Sequence, residues 1–587
     1  MPTISVQRDL LFTALGRTFT EEEFDELCFE FGIELDEVTT EKQIIAKEQG
    51  GDKSKGASEE VIYKVDIPAN RYDLLCLEGL AQGLLVFLGK MDLPKFKPVK
   101  VASCQKLIVK PSVKVIRPHV VGAVLRGLKF TQAMYDSFIE LQDKLHQNLC
   151  RKRTLVAIGT HDLDKIQGPF TYEALEPKQI KFVPLNQTKA MDGAELMEFY
   201  AHDPHLKVFL PIIKDSPVFP VIKDSKGVVL SLPPIINGDI SKITLGTKNV
   251  FIECTATDKT KAKVVLDTMV TMFSRYCSTP YEVEIVEVVT PEGVEHYPTL
   301  TYRTEVVESN RVNKIVGIAQ EPEVIAKLLT KMCLSAKAEG NKISVDIPPT
   351  RHDIIHPCDI YEDVAIAYGY NNIEKTLPKT NTIAVQNQLN KLSDQLREGL
   401  SQSGFTEALT FTLCSKEDIS QKIRKDTGCN IAIHVSNPKT LEFQVGRTSL
   451  LPGLLKTIAA NRKMPLPLRL FEVSDVLLKD ASKDVGARNQ RNLCVVNYNK
   501  TPGFEVVHGI LDRIMQLLEV PFDVSKSDAG YYLEHTEDPT YFPGRCANVI
   551  AYGVPVGVLG VVHPEVISRF ELNMPCAALE LNIEPFL

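Results

Sequence analysis

Two segments of this 587-residue chain repeat one pattern 280 positions apart, and any fold must house both. The first reads VDIPANRYDLL, with Asp66, Pro68, Arg71 and Asp73; the second reads VDIPPTRHDII, with Asp346, Pro348, Arg351 and Asp353. Each follows an apolar stripe at i, i+3, i+4, i+7, the spacing of one buried helix face. The stripe is Phe24, Leu27, Cys28, Phe31 in the first copy and Ile325, Leu328, Leu329, Met332 in the second. From stripe to Asp-Ile-Pro takes 35 residues in the first copy and 14 in the second. The surplus coincides with the polar, Gly- and Lys-bearing stretch 41–60, which reads as a flexible insertion. The chain is therefore expected to hold two related small α/β modules, at 1–90 and 300–378.

Between them, at 95–290, β-branched alternating segments such as IRPHVVGAVLRGLKF and NVFIECTATD predict an α/β domain. Lys226-Gly227 and Asn237-Gly238 are its turn signals, and Tyr135, Phe138, Ile139 and Leu145 predict one of its helices. The region 385–587 alternates helix and strand signals. A helix over Leu389–Leu400 ends at Gly404, a strand at GFTEALTFTLC follows, and then a helix with Leu450, Leu451, Leu454, Leu455 and Ile458 as its stripe. The fold class is α+β and multidomain, its last domain built on an antiparallel sheet.

With a net charge of -8 the surface is no polycation, so nucleic-acid contacts would rest on local patches such as Arg151-Lys152-Arg153 or Arg462-Lys463. Either patch also reads as a solvated helix end. The 13 cysteines stand singly with no Cys-x-x-Cys pair, which suits a reducing compartment and no zinc site. Neither a signal peptide nor a run of ~20 apolar residues is present, so a cytoplasmic chain without membrane partners is expected.

The second repeat continues IIHPCDIYEDVAIAYGY, adding Asp359, Glu362 and Asp363 to Asp353. On a helix, positions 359, 362 and 363 share a face. Clustered hard oxygen ligands favour Mg²⁺; alternatively they are an acidic helix start at the positive end of the dipole. The first copy keeps only Glu78 in LLCLEGLAQGLL, so the Arg-x-Asp reads as structural in both. In the middle domain, SLPPIINGD and FIECTATD offer small hydroxyls, an amide and carboxylates able to orient water, or simply a tight loop. No phosphate loop and no G-x-G-x-x-G follows a strand anywhere.

Taken together, the paired modules, SLPPIINGD, RTSLLPGLLKTIAANRK, LFEVSD, FPGRCA and GVLGVVHPEVISRFEL resemble the phenylalanine–tRNA ligase β subunits of cytosolic eukaryotic/archaeal type, over essentially the whole chain. The resemblance implies an α2β2 ligase in which an α subunit adenylates phenylalanine and charges tRNA(Phe) with ATP. The β chain would end in a degenerate class II synthetase-like domain. That fits LRLFEVSD: Leu470 stands two places before Glu472, where an ATP-gripping arginine is expected, and Arg469 would point to the opposite strand face. The Leu389–Leu400 helix and its following strand would contribute to the α/β interface. The resemblance also implies Mg²⁺ on Asp353, Asp359, Glu362 and Asp363. It makes the middle region an editing-type domain that hydrolyses tyrosine-mischarged tRNA, with Ser231, Asn237, Glu253 and Thr255 lining its pocket. Two bacterial appendages, an anticodon-binding domain and an oligonucleotide-fold insertion, are expected to be missing, which shifts tRNA contacts toward the α subunit. The alternatives are a self-sufficient class II ligase and a nucleic-acid-binding regulatory protein built on the two small helical modules.

Overall fold

Both repeated segments fold alike in the computed structural model, which describes residues 2–49, 58–378, 380 and 384–587. The described chain divides into two units, 1–377 and 378–587, taken here in turn. In the first copy, strands Thr3–Gln7, Glu34–Thr40 and Val61–Asp66 form an antiparallel sheet with Val61–Asp66 central. In the second, Arg303–Glu308, Ser335–Glu339 and Lys342–Ile347 do the same with Lys342–Ile347 central. Each central strand runs into the Asp-Ile-Pro, the Arg-x-Asp turn, and then a helix, Leu77–Phe87 or Pro357–Tyr368.

The stripes fall where the periodicity puts them. Phe24, Leu27, Cys28 and Phe31 are buried in helix Glu21–Phe31, which a Thr20–Glu23 capping box starts and Gly32 ends at φ 86°. Ile325, Leu328 and Leu329 are buried in helix Pro322–Lys331, and Met332 caps it. The first part of the stretch expected to be flexible is regular structure. Residues 50–57 lie outside those described, but Glu41–Gln49 is a helix. Thr40 and Gln43 cap its start reciprocally, each backbone N–H donating to the other's side chain at 3.1 and 3.3 Å. Hydrogen bonds from Lys47 and then Lys64 hold the Glu37 carboxyl down at about 2. Capping and ion pairs thus build a helix that lacks an apolar stripe.

The middle region forms an 11-stranded sheet. Strand Val250–Ala256 lies between His119–Leu125 and Val156–Asp162, with every residue buried. Helix Gln132–Gln147 buries Met134, Phe138, Leu141 and Leu145. Tyr135 and Ile139, expected on that face, are only half-buried at its margin. Lys226-Gly227 makes a turn, with Gly227 at φ 80°. Asn237-Gly238 does not: Pro233-Pro234-Ile235 connects strands Val229–Leu232 and Ile236–Asn237. Gly238 is needed instead because a Cβ there would meet the Val229 carbonyl oxygen at 2.7 Å.

The second unit is a 7-stranded sheet in the order 406–407, 468–479, 487–498, 576–582, 554–562, 541–551, 531–535, antiparallel except for its first pair. Alternation sorts its side chains. Leu493 and Val495 join Leu396, Leu400, Val507 and Leu511 in one core, while Cys494 and Val496 join Leu454, Leu455 and Ile458 in another. The expected strand GFTEALTFTLC is broken into Thr406–Glu407 and Leu413–Cys414. Between them Leu409 is 82% exposed and Phe411 78%. No helix among the described residues is long and apolar enough to cross a membrane.

Candidate functional site

A cavity of about 350 Å³ opens in the middle region, walled by His146, Arg153, Tyr200, Ser231, Asn237 and Glu253 among others. Glu253 stands on the fully buried strand Val250–Ala256 and faces a glycine on each neighbouring strand, Gly122 and Gly159. A Cβ at Gly159 would lie 2.1 Å from Glu253 Oε1, so the missing side chain is the space the carboxylate occupies. Ser231 Oγ donates to that same oxygen at 2.9 Å, and His161 Nε2 lies 3.8 Å from it. Oε2 has no hydrogen-bond partner among the described residues, although Glu253 is only 1% exposed.

His146 faces the same cavity from the helix Gln132–Gln147. The Ile158 N–H donates to its Nε2 at 2.9 Å, so that nitrogen carries the lone pair and Nδ1 carries the proton. Burial, then the charges of Arg153 and Arg117, push its pKa well below the usual histidine value. His146 is therefore a neutral donor at neutral pH, and its Nδ1 is unpartnered among the described residues. Glu253 and His146 both line the cavity, and each keeps one buried polar atom unmet among the described residues, an acceptor on the first and a donor on the second.

Of the four residues expected here, Ser231, Asn237 and Glu253 line the cavity; Asn237 Nδ2 donates to the Thr160 carbonyl at 3.4 Å. Thr255 shares Glu253's strand face by alternation but lies outside the lining, its carbonyl taken by Arg117 at 2.9 Å. His146 and Tyr200 were not foreseen as site residues, and Arg153 was named only within a basic patch. His146 sits beside Leu145 of the stripe, and nothing in its spacing marks it as facing a cavity.

The four carboxylates assigned to Mg²⁺ do not converge. Arg351, 1% exposed, donates to Asp353 from Nε and Nη2 at 3.0 and 2.8 Å, and to Asp363 from Nη2 at 2.8 Å. Asp359 accepts the N–H groups of Ile355 and His356 at 2.8 and 2.9 Å, capping its own helix. Glu362 is exposed. Burial lifts the Asp363 carboxyl to about 6 against the pull of Arg351. No group of three or more His, Cys, Asp or Glu among the described residues is arranged to hold a metal ion. A guanidinium occupies the charge-balancing position between two of the proposed ligands, so the arrangement does not fit Mg²⁺. The first copy has the same ion pair, Arg71 to Asp73, at 2.9 Å twice.

In the second unit, Glu472 is fully buried and accepts Arg447 Nη1 at 2.8 Å and Thr410 Oγ1 at 2.7 Å. Arg469 does point to the other face, over the Phe405 ring and on to Asn497. A cavity of about 430 Å³ on the sheet is lined by Gln490, Asn492, Asn548, Asn582 and Glu580; its one lining cation among the described residues, Lys425, pairs with Asp538 at 2.8 Å. Nothing there is free to neutralise a triphosphate.

Four family models match this chain: the phenylalanyl tRNA synthetase beta chain CLM domain over residues 373–583, the Phe-tRNA synthetase beta subunit B1 domain over 1–90, the tRNA synthetase B5 domain over 306–370 and the B3/4 domain over 122–281. The phenylalanine–tRNA ligase beta subunit of Drosophila melanogaster is 64% identical over 100% of both chains. That of Homo sapiens is 62% identical, again over 100% of both. Among solved structures, an N-terminal fragment of the Pyrococcus horikoshii phenylalanyl-tRNA synthetase beta subunit is 33% identical, with a TM-score of 0.56, covering 63% of this chain and 100% of that one.

Replacing Arg351 by Met strands Asp353 and Asp363 without a partner, and urea denaturation should show a loss of about 3–5 kcal/mol. Glu362→Gln, on the exposed face, should stay within about 0.5 kcal/mol of the parent. Equal losses in the two variants would refute the guanidinium's role.

Proposed function

The chain belongs to the phenylalanine–tRNA ligase beta subunit family, and from that premise we propose that it serves Phe-tRNA synthesis as the non-adenylating partner of an α chain in an α2β2 assembly. The observation that carries this reading is the closed ion pair of Glu472 with Arg447. Where a class II ligase needs cations aimed at ATP, the one buried arginine among this unit's described residues, Arg447, is spent on the domain's own carboxylate. Such a domain is a scaffold, and ATP chemistry falls to the partner. The surface for that partner is the broken strand after helix Gln388–Gln402, where Leu409 and Phe411 stay largely exposed although the Phe443 ring meets Phe411 edge-on at 5.7 Å.

The second activity proposed is hydrolysis of tyrosine-mischarged tRNA in the Glu253 cavity. A phenolic hydroxyl donates to Glu253 Oε2 and accepts from His146 Nδ1–H, while phenylalanine leaves both buried atoms unmet. A site of this kind separates the two amino acids far better than shape alone. Ser231 and Asn237 hold the carboxylate and the rim, and a water attacks the ester with no covalent enzyme intermediate. No step runs through a metal. The regulatory alternative loses support because the Arg-x-Asp motifs of both modules are consumed in buried ion pairs.

The purified chain alone, given ATP, phenylalanine and pyrophosphate, should show no ATP–pyrophosphate exchange, and exchange should appear when the α chain is added. Exchange by the isolated chain would end the scaffold reading. Phe411→Glu should abolish co-purification with the α chain while leaving the variant's own thermal transition in place; undiminished co-purification would move the interface elsewhere. For editing, Glu253→Ala and Ser231→Ala should each slow Tyr-tRNA deacylation by the assembled enzyme, the first by at least ~10-fold in kcat/KM. Wild-type rates in both would refute the pocket.

A further inference from the structure

Beside the cavity the chain does something costly. Arg151, Lys152 and Arg153 take φ of 46°, 51° and 64°, three successive non-glycine residues in the left-handed region. Each is disfavoured by roughly 1–2 kcal/mol, and such strain persists only where surrounding contacts impose it. Those contacts are explicit. Arg117, itself 1% exposed, donates from Nη1 to the carbonyls of Arg153 and Thr154 at 3.3 and 3.2 Å. Thr154 Oγ1 donates to the Arg151 carbonyl at 2.7 Å. The Arg153 side chain lies 4.2 Å from the Phe209 ring centroid and donates to the carbonyls of Pro234 and Ile235, in the cavity wall, at 3.3 and 3.0 Å.

Two of the turn's three cations are unspent, while the half-buried Arg153 feels the charge of Asp143. Arg151 and Lys152 are exposed, and no carboxylate stands within ion-pair distance of 151–153 among the described residues. The buried Nε of Arg153 has no partner there, and the backbone N–H groups of Lys152 and Arg153 donate to none. Arg153 lines the cavity and the two exposed cations precede it in the same turn; cations with free amides beside a cavity are a phosphate-binding arrangement.

We propose that the left-handed turn Arg151–Lys152–Arg153 is a phosphate-binding rim that grips the 3′-terminal phosphodiesters of an RNA whose aminoacyl ester enters the Glu253 cavity. This rests on the editing reading above. The rim explains why a net-negative chain can draw a polyanion to this cavity. It also accounts for the buried arginine kept to pin the turn.

The test uses the assembled ligase and tyrosine-mischarged tRNA, comparing wild type with the double variant Arg151→Asn, Lys152→Asn. Asparagine tolerates the left-handed region, so the turn keeps its shape while both charges go. KM for deacylation should rise ~10-fold, and the slope of log affinity against log salt should shrink by about 1.4, the value for two contacts on a single strand. The penalty should vanish on 3′-O-tyrosyl-adenosine, which carries no phosphate, and the swap Arg151→Lys, Lys152→Arg should restore most of the loss. If wild type deacylates and the Asn variant matches it in KM and salt slope, the rim is overturned and editing stands. If the penalty persists on tyrosyl-adenosine, the turn acts on the ester pocket and the phosphate assignment is overturned. If wild-type assembly leaves mischarged tRNA intact, the editing reading falls and takes the rim with it.

Discussion

Arg351 carries a full positive charge with 1% of its surface in contact with solvent, and the first unit is organised around that fact. Its guanidinium spans Asp353 on its own turn and Asp363 on the following helix, and Nη1 reaches back to the Met332 carbonyl at the end of the preceding helix. One side chain thus ties helix, strand end and helix into a module. The equivalent Arg71 has one carboxylate, Asp73, and rests over the Phe31 ring at 5.5 Å instead of a second one. Gly83 stands where a counterpart of Asp363 would, and a Cβ there would press to 2.9 Å on that ring. The two arginines also feel each other and each other's aspartates, so the repeats meet through their charged cores. Buried charge is tolerated here because almost every lone pair and N–H finds a partner.

The same logic separates the three carboxylate sites. Asp363 and Glu472 each answer a buried arginine, and Asp359 answers backbone amides, so all three are spent on the fold. Glu253 is as deeply buried, yet one of its oxygens is left over among the described residues, and so is the donor of His146 in the same cavity wall. An unmet buried acceptor costs about 1–3 kcal/mol, and a chain that satisfies its other carboxylates has no folding reason to carry one. On the editing reading, that surplus is what a substrate hydroxyl meets.

Much of this was legible in the residues. The 280-residue offset located both modules, because a repeated strand–turn–helix must bury the same positions twice. Helical spacing placed 359, 362 and 363 on neighbouring rows, but it carries no information on depth. Asp363 turns toward Ile360 and Val364 in the core, whereas Glu362, one position back, is exposed. The partner that decides the matter is Arg351, twelve residues upstream, and its choice of two carboxylates is tertiary. Composition likewise misjudged 41–49, where a reciprocal cap substitutes for an apolar stripe. The break near Phe411 escaped notice because the two ends of the segment pair in different sheets, Thr406–Glu407 with 470–471 and Leu413–Cys414 with 445–446, a tertiary choice its β-prone residues do not record.

Strand alternation sets Glu253 and Thr255 on one face, yet of the two only Glu253 lines the cavity, and the difference lies across the ladder. Opposite Glu253 stands Gly159; opposite Thr255 stands Ala157. An alanine methyl in the 159 position would sit where Oε1 now is, so the carboxylate could not fold back beneath Ser231. The pocket is therefore a property of a strand pair rather than of either motif. FIECTATD supplies the charge, GTHDL supplies the vacancy, and neither is readable without the register that joins them. The glycine is the harder half to notice, since its contribution is the absence of atoms.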